Sequence, residues 1–303
     1  MSALPSSSRS PVLLVVALAV LTTLSAWALD RHVHRPDAAR TTDSEPIRIV
    51  SLVPAITETL FELDAGDRVV GVSDFCDHPP EAASLPRLGS GFTPNYEGVA
   101  RLRPDLILTD RGSGASQLGL EEIAPTRAMA WLSVDEAIQS ITAVGAWVHR
   151  PDAARRLATQ MRTRLAVPVA LDAPRVLLVH GVAAGSWAEV WLIQRNSLHG
   201  AALRAAGGRN AVERDVPGAA RLSLEEVVRL DPEMIIVLVG ADPSDREAQG
   251  RAIERFARLS SLRAARERRI GAVVGPGVFT VGPRILSLIR PLAEEIHRLR
   301  GPR

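Results

Sequence analysis

From residue 47 onward the sequence alternates short apolar runs with segments of helical spacing, and this alternation restricts the fold more than any other feature. Arg48–Val53 is rich in β-branched residues and predicts a strand, and Thr57–Leu63 has the spacing of a helix. Asp67–Ser73 and Arg103–Leu108 predict two further strands. Because strands that alternate with helices usually form a parallel sheet, the sequence predicts an α/β fold.

The second half of the chain follows the same plan. Arg175–His180, Glu233–Val239 and Ile270–Val274 predict strands, and residues 283–300 predict a closing amphipathic helix. We therefore expect two Rossmann-like lobes, each with a central and mostly parallel sheet.

Two helices are predicted between these halves. Ser133 and Glu136 have the spacing of a capping box, which predicts a helix that ends near Trp147. Pro151 is typical of a helix start, and the helix that follows it extends to Leu165. At 1.5 Å per residue this second helix is roughly 24 Å long, enough for a single long α-helix to join two lobes.

A faint internal repeat links the two halves. Residues 97–108 match residues 225–236, because in each segment a glutamate precedes an arginine by four residues and a proline by seven, after which a strand begins. Two lobes built on one plan would carry Glu97 and Glu225 at equivalent corners. A simpler interpretation is also open, since an acid in the first turn of a helix stabilises it by about 0.3–1 kcal/mol through the helix dipole.

Length and composition exclude several classes of protein. A chain of 303 residues with 46% hydrophobic residues can bury a full core in each of two lobes of roughly 100–130 residues. The net charge is only +2 and aromatic residues make up 4%, which disfavours a nucleic-acid surface. Cys76 is the only cysteine, so the chain has no internal disulfide and no CxxC site.

The first residues have the layout of a secretory signal. Arg9 precedes the apolar run Pro11–Leu21, and Ala26-Trp27-Ala28 follows as a small-residue cleavage pattern. We predict export to the periplasm with cleavage after Ala28; an uncleaved membrane anchor is the alternative. The predicted boundaries are a signal segment at 1–28, a tether at 29–46, an N-terminal lobe at 47–132, connecting helices at 133–173 and a C-terminal lobe at 174–303.

Four phrases follow one another in the first lobe: RIVSLVPAITETLFEL, DRVVGVSDFCDHPPEA, LPRLG and YEGVARLRPDLIL. Their order resembles the helical-backbone (class III) solute-binding proteins of ABC importers for cobalamin, haem and ferric siderophores. In the second lobe the resemblance rests on weaker pieces such as Ala206–Asn210 and Gly282–Arg284. Two departures concern the ligand: His78 stands where the cobalamin-binder pattern has tyrosine, and Asp215–Ala219 carries no tryptophan.

The resemblance implies a monomeric, exported protein that captures a metal chelate, either a cobalamin-type corrinoid or a ferric siderophore or haem, and delivers it to an importer. It implies no catalytic residue, no resident metal and no cofactor. It also implies that Glu97 and Glu225 meet arginines on the two permease subunits, with Glu226 as a neighbour.

A cleft between two α/β lobes is the expected place for the ligand, because loops at the carboxyl ends of the strands meet there. Aromatic side chains would pack on a macrocycle, and arginines would meet its anionic groups. The flexible loop predicted at residues 110–116 contributes Arg111. The predicted lining is Pro54, Ala55, His78, Phe92, Arg111, Ser186, Trp187, Phe279 and Arg284.

Each of these residues also has a structural interpretation. His78 precedes two prolines and could hydrogen-bond its own loop. Trp187 and Phe279 could belong to the core, since large aromatic residues are mostly buried. Arg284 at a helix start is unfavourable for the dipole, which favours an external partner for it.

Two other functions remain open at this stage. A free metal-ion binder would use His78, His180 and acidic residues as ligands. A secreted hydrolase is the second, although the sequence has no GxSxG motif to mark a nucleophile.

Overall fold

The structure is a computed structural model that describes residues 47–181, 189–213 and 221–301. The predicted signal segment and tether lie outside these ranges, as do Ser186, Trp187 and Asp215–Ala219. Within the described ranges, no helix is both long enough and apolar enough to span a bilayer.

The first lobe contains a parallel sheet of four strands in the order β2-β1-β3-β4. The strands are β1 (Ile49–Ser51), β2 (Val69–Val72), β3 (Leu106–Asp110) and β4 (Thr126–Met129). The three predicted strands are confirmed, and β4 is an additional edge strand. Three helices alternate with them: α1 (Pro54–Glu62), α2 (Tyr96–Arg101) and α3 (Ala115–Glu121).

The prediction of a loop at residues 110–116 is wrong in its second part. Arg111–Ser113 forms a 3-10 turn, and α3 begins at Ala115. The Asp110 carboxylate accepts a hydrogen bond from the Gly112 amide at 2.6 Å, which holds the turn. Gly114 has a φ of 54°, a conformation that other residues rarely adopt, and it allows the chain to enter the helix directly.

Two helices lead from the first sheet to the second: α4 (Val134–Trp147) and α5 (Pro151–Leu165). The predicted capping box at the start of α4 is present, since the Ser133 hydroxyl accepts from the Glu136 amide and the Glu136 carboxylate accepts from the Ser133 amide. The second helix, α5, is the long helix that the sequence predicts. It buries Ala154, Leu157, Ala158, Met161 and Leu165 on one face.

The second lobe contains a parallel sheet in the order β10-β9-β5-β7 and a separate antiparallel pair, β6–β8. The strands are β5 (Arg175–His180), β6 (Glu189–Trp191), β7 (Arg209–Asn210), β8 (Arg221–Ser223), β9 (Met234–Val239) and β10 (Ile270–Val274). The helices are α6 (Leu198–Ala205), α7 (Leu224–Leu230), α8 (Arg246–Ala257), α9 (Arg263–Arg266) and α10 (Ile289–Arg300).

The two sheets have one strand order. When only the strands of the parallel sheets are counted from the start of each lobe, the order is second, first, third, fourth in both, with β2-β1-β3-β4 matching β7-β5-β9-β10. The repeated sequence forms helix α2 and strand β3 in the first lobe, and helix α7 and strand β9 in the second. In each lobe it therefore builds the third strand of the parallel sheet and the helix before it. At its turn Arg103 and Asp231 both have positive φ, 45° and 41°, directly before a proline.

Equivalent arginines fix this repeated unit to the first strand of each lobe. The Arg48 guanidinium donates to the Leu102 carbonyl at 2.9 Å, and the Arg175 guanidinium donates to the Leu230 carbonyl at 3.2 Å. Both carbonyls lie at the carboxyl end of the repeated helix. The internal repeat in the sequence is therefore a repeat in the structure.

One apolar core extends through both lobes. It includes Ile49 in β1 of the first sheet, Ile141 and Met161 on the connecting helices, and Leu178 and Leu292 in the second lobe, each with 0% of its surface exposed. The connecting helices thus belong to the core and are not an isolated rod. Burial of this kind contributes roughly 25 cal/mol for each Å² of apolar surface.

Gly145 permits the closest approach of α4 and α5. A Cβ atom at Gly145 would overlap the Cβ of Ala154. A change from glycine to alanine stabilises a solvent-exposed helix by about 1 kcal/mol. At this crowded position, however, Gly145→Ala is expected to lower the free energy of unfolding by about 1–3 kcal/mol. Thermal unfolding measures the change. Gly250→Ala in α8 is the control, since nothing lies within 4 Å of its Cβ position, and equal stabilisation by both variants would contradict close packing here.

Candidate ligand-binding site

Two predicted site residues, Pro54 and Ala55, begin α1 directly after the carboxyl end of β1. Proline at the first helical position has no amide hydrogen to leave unpaired, and its fixed φ suits the helix. Pro54 is half-buried, but Ala55 is only 1% exposed. The second lobe covers it, because a Cβ at Gly282 would lie 2.8 Å from the Ala55 Cα. Ala55 thus lies at a contact between lobes, and ligand contact by it stays a prediction.

Phe92 lies at the tip of a tight turn beside the first sheet, with 70% of its surface exposed. The Ser90 hydroxyl accepts hydrogen bonds from the Phe92 and Thr93 amides at 3.2 and 3.0 Å. The Ser116 hydroxyl donates to the Gly91 carbonyl at 2.6 Å and fastens the turn to α3. An aromatic ring is therefore held in solvent on a well-fixed turn.

Arg111 follows the carboxyl end of β3 and is exposed. Its guanidinium has no hydrogen bond or ion pair with the part of the chain that the structure describes. Arg87, by contrast, is fully engaged by the His78 loop, donating to the carbonyls of Ser73 and Cys76 at 2.9 and 3.1 Å. Arg111 is thus a cation available to an anionic group.

His78 is exposed in the loop that follows β2. Cys76 holds the loop against the first lobe, since its buried thiol contacts the hydroxyls of Thr57 and Ser73 at 3.2 and 3.0 Å. Burial raises the pKa of the Cys76 thiol, so the sulfur remains protonated and serves the packing of the loop. The His78 imidazole lies close enough to Glu58 for its positive charge to lower the pKa of that carboxyl.

The matching edge of the second lobe carries Phe279 and His180. Their rings are stacked, with centroids 4.9 Å apart and an interplanar angle of 24°. Phe279 is 38% exposed, and its ring covers Gly240, where a Cβ would lie 2.9 Å from the ring. Phe279 is therefore a surface residue, not a core residue. Burial lowers the pKa of His180, so its imidazole is neutral near pH 7.

Arg284 does not point freely at solvent, because it forms an ion pair across the lobes. Its Nη2 atom lies 2.8 Å from the Oε1 atom of Glu58, which belongs to α1 of the first lobe. The Thr280 hydroxyl donates to the same carboxylate at 3.3 Å. Burial raises the pKa of Glu58, although Arg284, His78 and Thr280 each act to lower it. The external partner that the sequence predicts for Arg284 is thus found within the chain, and its contact with a ligand stays a prediction.

Sequence reasoning missed Glu58, Thr280 and the ring contact of His180. The one available signal for Glu58 was an acid between the apolar residues Ile56 and Leu60 of a predicted helix, and in the structure residues 55–60 are all buried. A buried acid requires a partner, but no local pattern shows where that partner lies.

Glu97 and Glu225 occupy equivalent exposed positions at the starts of α2 and α7. Neither caps its helix. The Asn95 side chain accepts from the Gly98 amide in α2, while Ser223 and Glu226 form a capping box in α7. Glu97 forms an exposed ion pair with Arg101 at 2.7 Å, which contributes little to stability. The helix starts are thus complete without these two carboxylates.

Residues 49–272 match the profile of the periplasmic binding protein family. The chain belongs to this family. Members of the periplasmic binding protein family bind and carry substrates, so this periplasmic binding protein is not an enzyme and its partners include a small-molecule ligand.

Three similar proteins illustrate the range of the family. Over 275 residues the chain is 35% identical to a cobalamin-binding protein of Halobacterium salinarum (strain ATCC 29341 / DSM 671 / R1), covering 79% of this chain and 72% of the relative. Over 272 residues it is 24% identical to an ABC transporter substrate-binding lipoprotein of Bacillus subtilis (strain 168), covering 85% and 82%. The structure of a periplasmic heme-binding protein of Roseiflexus sp. RS-1 is 27% identical, with a TM-score of 0.64 and coverage of 84% and 99%.

The predicted α/β fold of two parallel-sheet lobes is confirmed by these comparisons and by the two sheets. For a free metal ion, three His, Cys, Asp or Glu side chains would have to converge, and no such group occurs among the described residues of this periplasmic binding protein. His78 and His180 are therefore not brought into a common metal site there.

Proposed function

We propose that the protein captures a metal chelate, with a cobalamin-type corrinoid first and haem or a ferric siderophore next, between its two lobes and delivers it to an ABC importer. The observation that carries this proposal is the meeting of the two lobes at their carboxyl-end segments, where Ala55 contacts Gly282 and Glu58 pairs with Arg284. Ligands of α/β proteins bind outside the carboxyl ends of the strands.

The side chains at these edges suit a large, flat and partly anionic ligand. Phe92 and the stacked Phe279–His180 pair offer aromatic surface, while Arg111 offers a cation. A macrocycle packs on aromatic rings, and its carboxylates or phosphate bind a guanidinium. The relatives named for cobalamin and heme support the same class of ligand.

Three further parts of the proposal concern the protein as a whole. It is exported and acts in the periplasm, consistent with its family, and its first 28 residues serve as a signal that is cleaved after Ala28. It acts as a monomer. Glu97 and Glu225 contact the two permease subunits, supported by their exposure and equivalent positions.

The test of ligand class is the visible absorption spectrum of the purified protein after incubation with cobalamin, haemin or a ferric siderophore and removal of free ligand. Cobalamin is expected to remain bound in a ratio of one per chain. Retention of zinc but of none of the three chelates would contradict the proposal and favour a free metal-ion binder.

Phe92→Ala is expected to weaken binding of the retained chelate about tenfold, since an aromatic contact contributes about 0.5–1.5 kcal/mol beyond the area that it buries, and about 1.4 kcal/mol corresponds to a factor of ten. Spectral titration gives the affinity. Leu171→Ala is the matched control, because Leu171 is fully exposed and lies between α5 and β5, away from both sheet edges. Equal affinities for both variants and the unchanged protein would remove Phe92 from the site.

A further inference from the structure

Glu58 is one of two acidic side chains that are buried among the described residues, and its surroundings differ from those of the other. Glu295 accepts from Arg298 and from the Ala272 amide, so its partners belong to its own lobe. Glu58 is 2% exposed, and among the described residues the groups that hydrogen-bond or ion-pair with its carboxylate all lie in the opposite lobe. Its carboxylate therefore connects the lobes.

The partners of Glu58 lie in one segment of the second lobe, residues 275–284, which follows β10. Arg284 contributes its guanidinium at 2.8 Å and Thr280 its hydroxyl at 3.3 Å. Gly282 lies between them and rests on α1, with a Cβ position 2.8 Å from the Ala55 Cα. Helix α1 of the first lobe thus holds this segment at three points.

The same segment carries Phe279. Phe279 precedes Thr280 directly, stacks on His180 at 4.9 Å and covers Gly240. Its ring is therefore placed by contacts within the second lobe on one side and by the Glu58 contacts of the adjoining residues on the other.

We infer that Glu58 is a positioning residue of the binding site: it fixes segment 275–284 across the lobe boundary and thereby sets the place of Phe279, while Arg284 neutralises Glu58 and does not bind the ligand. The inference rests on the proposed function, because that function makes Phe279 a ligand contact. In this role Glu58 and Arg284 together position segment 275–284, and neither binds an anionic group of the ligand.

Glu58 and Arg284 are buried to different extents, so removing one of them should have a different effect on binding from removing the other. The Glu58 side chain is 3% exposed, whereas that of Arg284 is 27% exposed. Removal of Arg284 leaves an ionised carboxylate in a dry position, which costs more than leaving a partly exposed guanidinium without its partner. Of the other charged groups, His78 faces the carboxylate from the first lobe.

The experiment compares Glu58→Gln, Arg284→Met and the double variant by spectral titration with cobalamin and by hydrogen–deuterium exchange of the ligand-free protein. Glu58→Gln is expected to weaken binding about tenfold and to raise exchange in residues 275–284. Arg284→Met should weaken binding further, and the double variant should bind more tightly than Arg284→Met because no unpaired carboxylate remains. Lowering the pH to about 5 should partly restore Arg284→Met, by protonating Glu58, but not the double variant.

Direct binding of the ligand by Arg284 predicts another pattern. Glu58→Gln would then bind normally, and both variants that lack Arg284 would be equally weak at every pH; this result would overturn the inference. If the unchanged protein retains no chelate, the proposed function fails, but exchange in the ligand-free protein still decides the positioning role. Unaltered exchange in Glu58→Gln would reject it.

Thr280→Val provides a second variant in case loss of the ion pair prevents folding. It keeps the shape of the side chain and removes the hydroxyl that contacts Glu58 at 3.3 Å. A smaller rise in exchange confined to residues 275–284 is expected, and no rise would contradict the inference. Glu254→Gln is the control, since Glu254 lies exposed on α8 in an ion pair with Arg258.

Discussion

Replacement of Glu97 and Glu225 together by alanine is expected to abolish stimulation of the importer's ATPase activity while ligand affinity stays unchanged. Each carboxylate is exposed at the start of the repeated helix of its lobe, and neither is needed as a cap because Asn95 and Ser223 perform that task. A pair of charges at equivalent positions suits a partner that itself has two similar subunits. Loss of a desolvated charge pair at an interface costs about 2–5 kcal/mol, and here two are lost.

Stimulation is measured with the importer in nanodiscs or proteoliposomes at saturating ligand. The single variants should each retain partial stimulation, because one lobe still docks. The control pair is Glu247→Ala with Glu254→Ala, since both lie exposed on α8 and form ion pairs of the same i,i+4 type as Glu97. Full stimulation by the Glu97 and Glu225 double variant would leave dipole compensation as the role of these two acids.

The sequence predicted those parts of the fold that depend on local signals. The Ser133 capping box, the proline start of α5 and the long apolar strands of the second lobe lie as predicted. These features are specified within a few residues, so their partners need not be known. The internal repeat was readable for the same reason, since it records one local unit used twice.

Two of the four strands that the sequence analysis did not predict belong to the parallel sheets, and these two lack such signals. Thr126–Met129 is a short edge strand with an arginine in its centre, and Arg209–Asn210 contains only two residues. Both become strands because a neighbour offers hydrogen bonds, in one case β3 and in the other β5. Pairing with a strand that is distant in sequence overrides their weak propensity.

The site was less predictable because its contacts are long-range. Glu58 and Thr280 are separated by 222 residues, and the Phe279–His180 stack likewise joins distant segments. Residue type identified Phe92 and Arg111 as exposed candidates, as aromatic and cationic residues on loops at strand ends. It could not show that Arg284 already has a partner, since that depends on how the lobes meet.

Acid is expected to destabilise the protein chiefly through His199, which lies on α6, contacts segment 275–284 and is only 6% exposed. Its Nε2–H group donates to the Val278 carbonyl at 2.9 Å, and burial lowers the pKa of His199 to about 4. The ordinary pKa is 6.5, so between these values the unfolded chain takes up the proton and the folded chain does not. Stability should therefore fall as the pH drops from about 6.5 to about 4, by about 3 kcal/mol in total.

Two neighbouring groups modify this profile in opposite directions. His180 on β5 faces His199 with ring centroids 6.5 Å apart, and because burial lowers the pKa of His180 as well, it adds to the loss of stability in acid. Burial raises the pKa of Glu58, so the folded chain takes up that proton first and gains stability as the pH falls toward 4.5. The gain from Glu58 therefore opposes the loss from the two histidines wherever their pH ranges overlap.

His199→Gln separates the His199 contribution from the others. Glutamine keeps an N–H donor for the Val278 carbonyl but cannot take up a proton, so the free energy of unfolding should change much less between pH 6.5 and 4.5. Urea unfolding at a series of pH values measures it, and His297→Gln on the exposed face of α10 is the matched control, for which the full acid dependence should remain. A buried neutral imidazole must take up a proton when the protein unfolds in acid, and His199→Gln removes that proton uptake. A His199→Gln profile parallel to that of the unchanged protein would therefore show that the acid sensitivity arises at other groups.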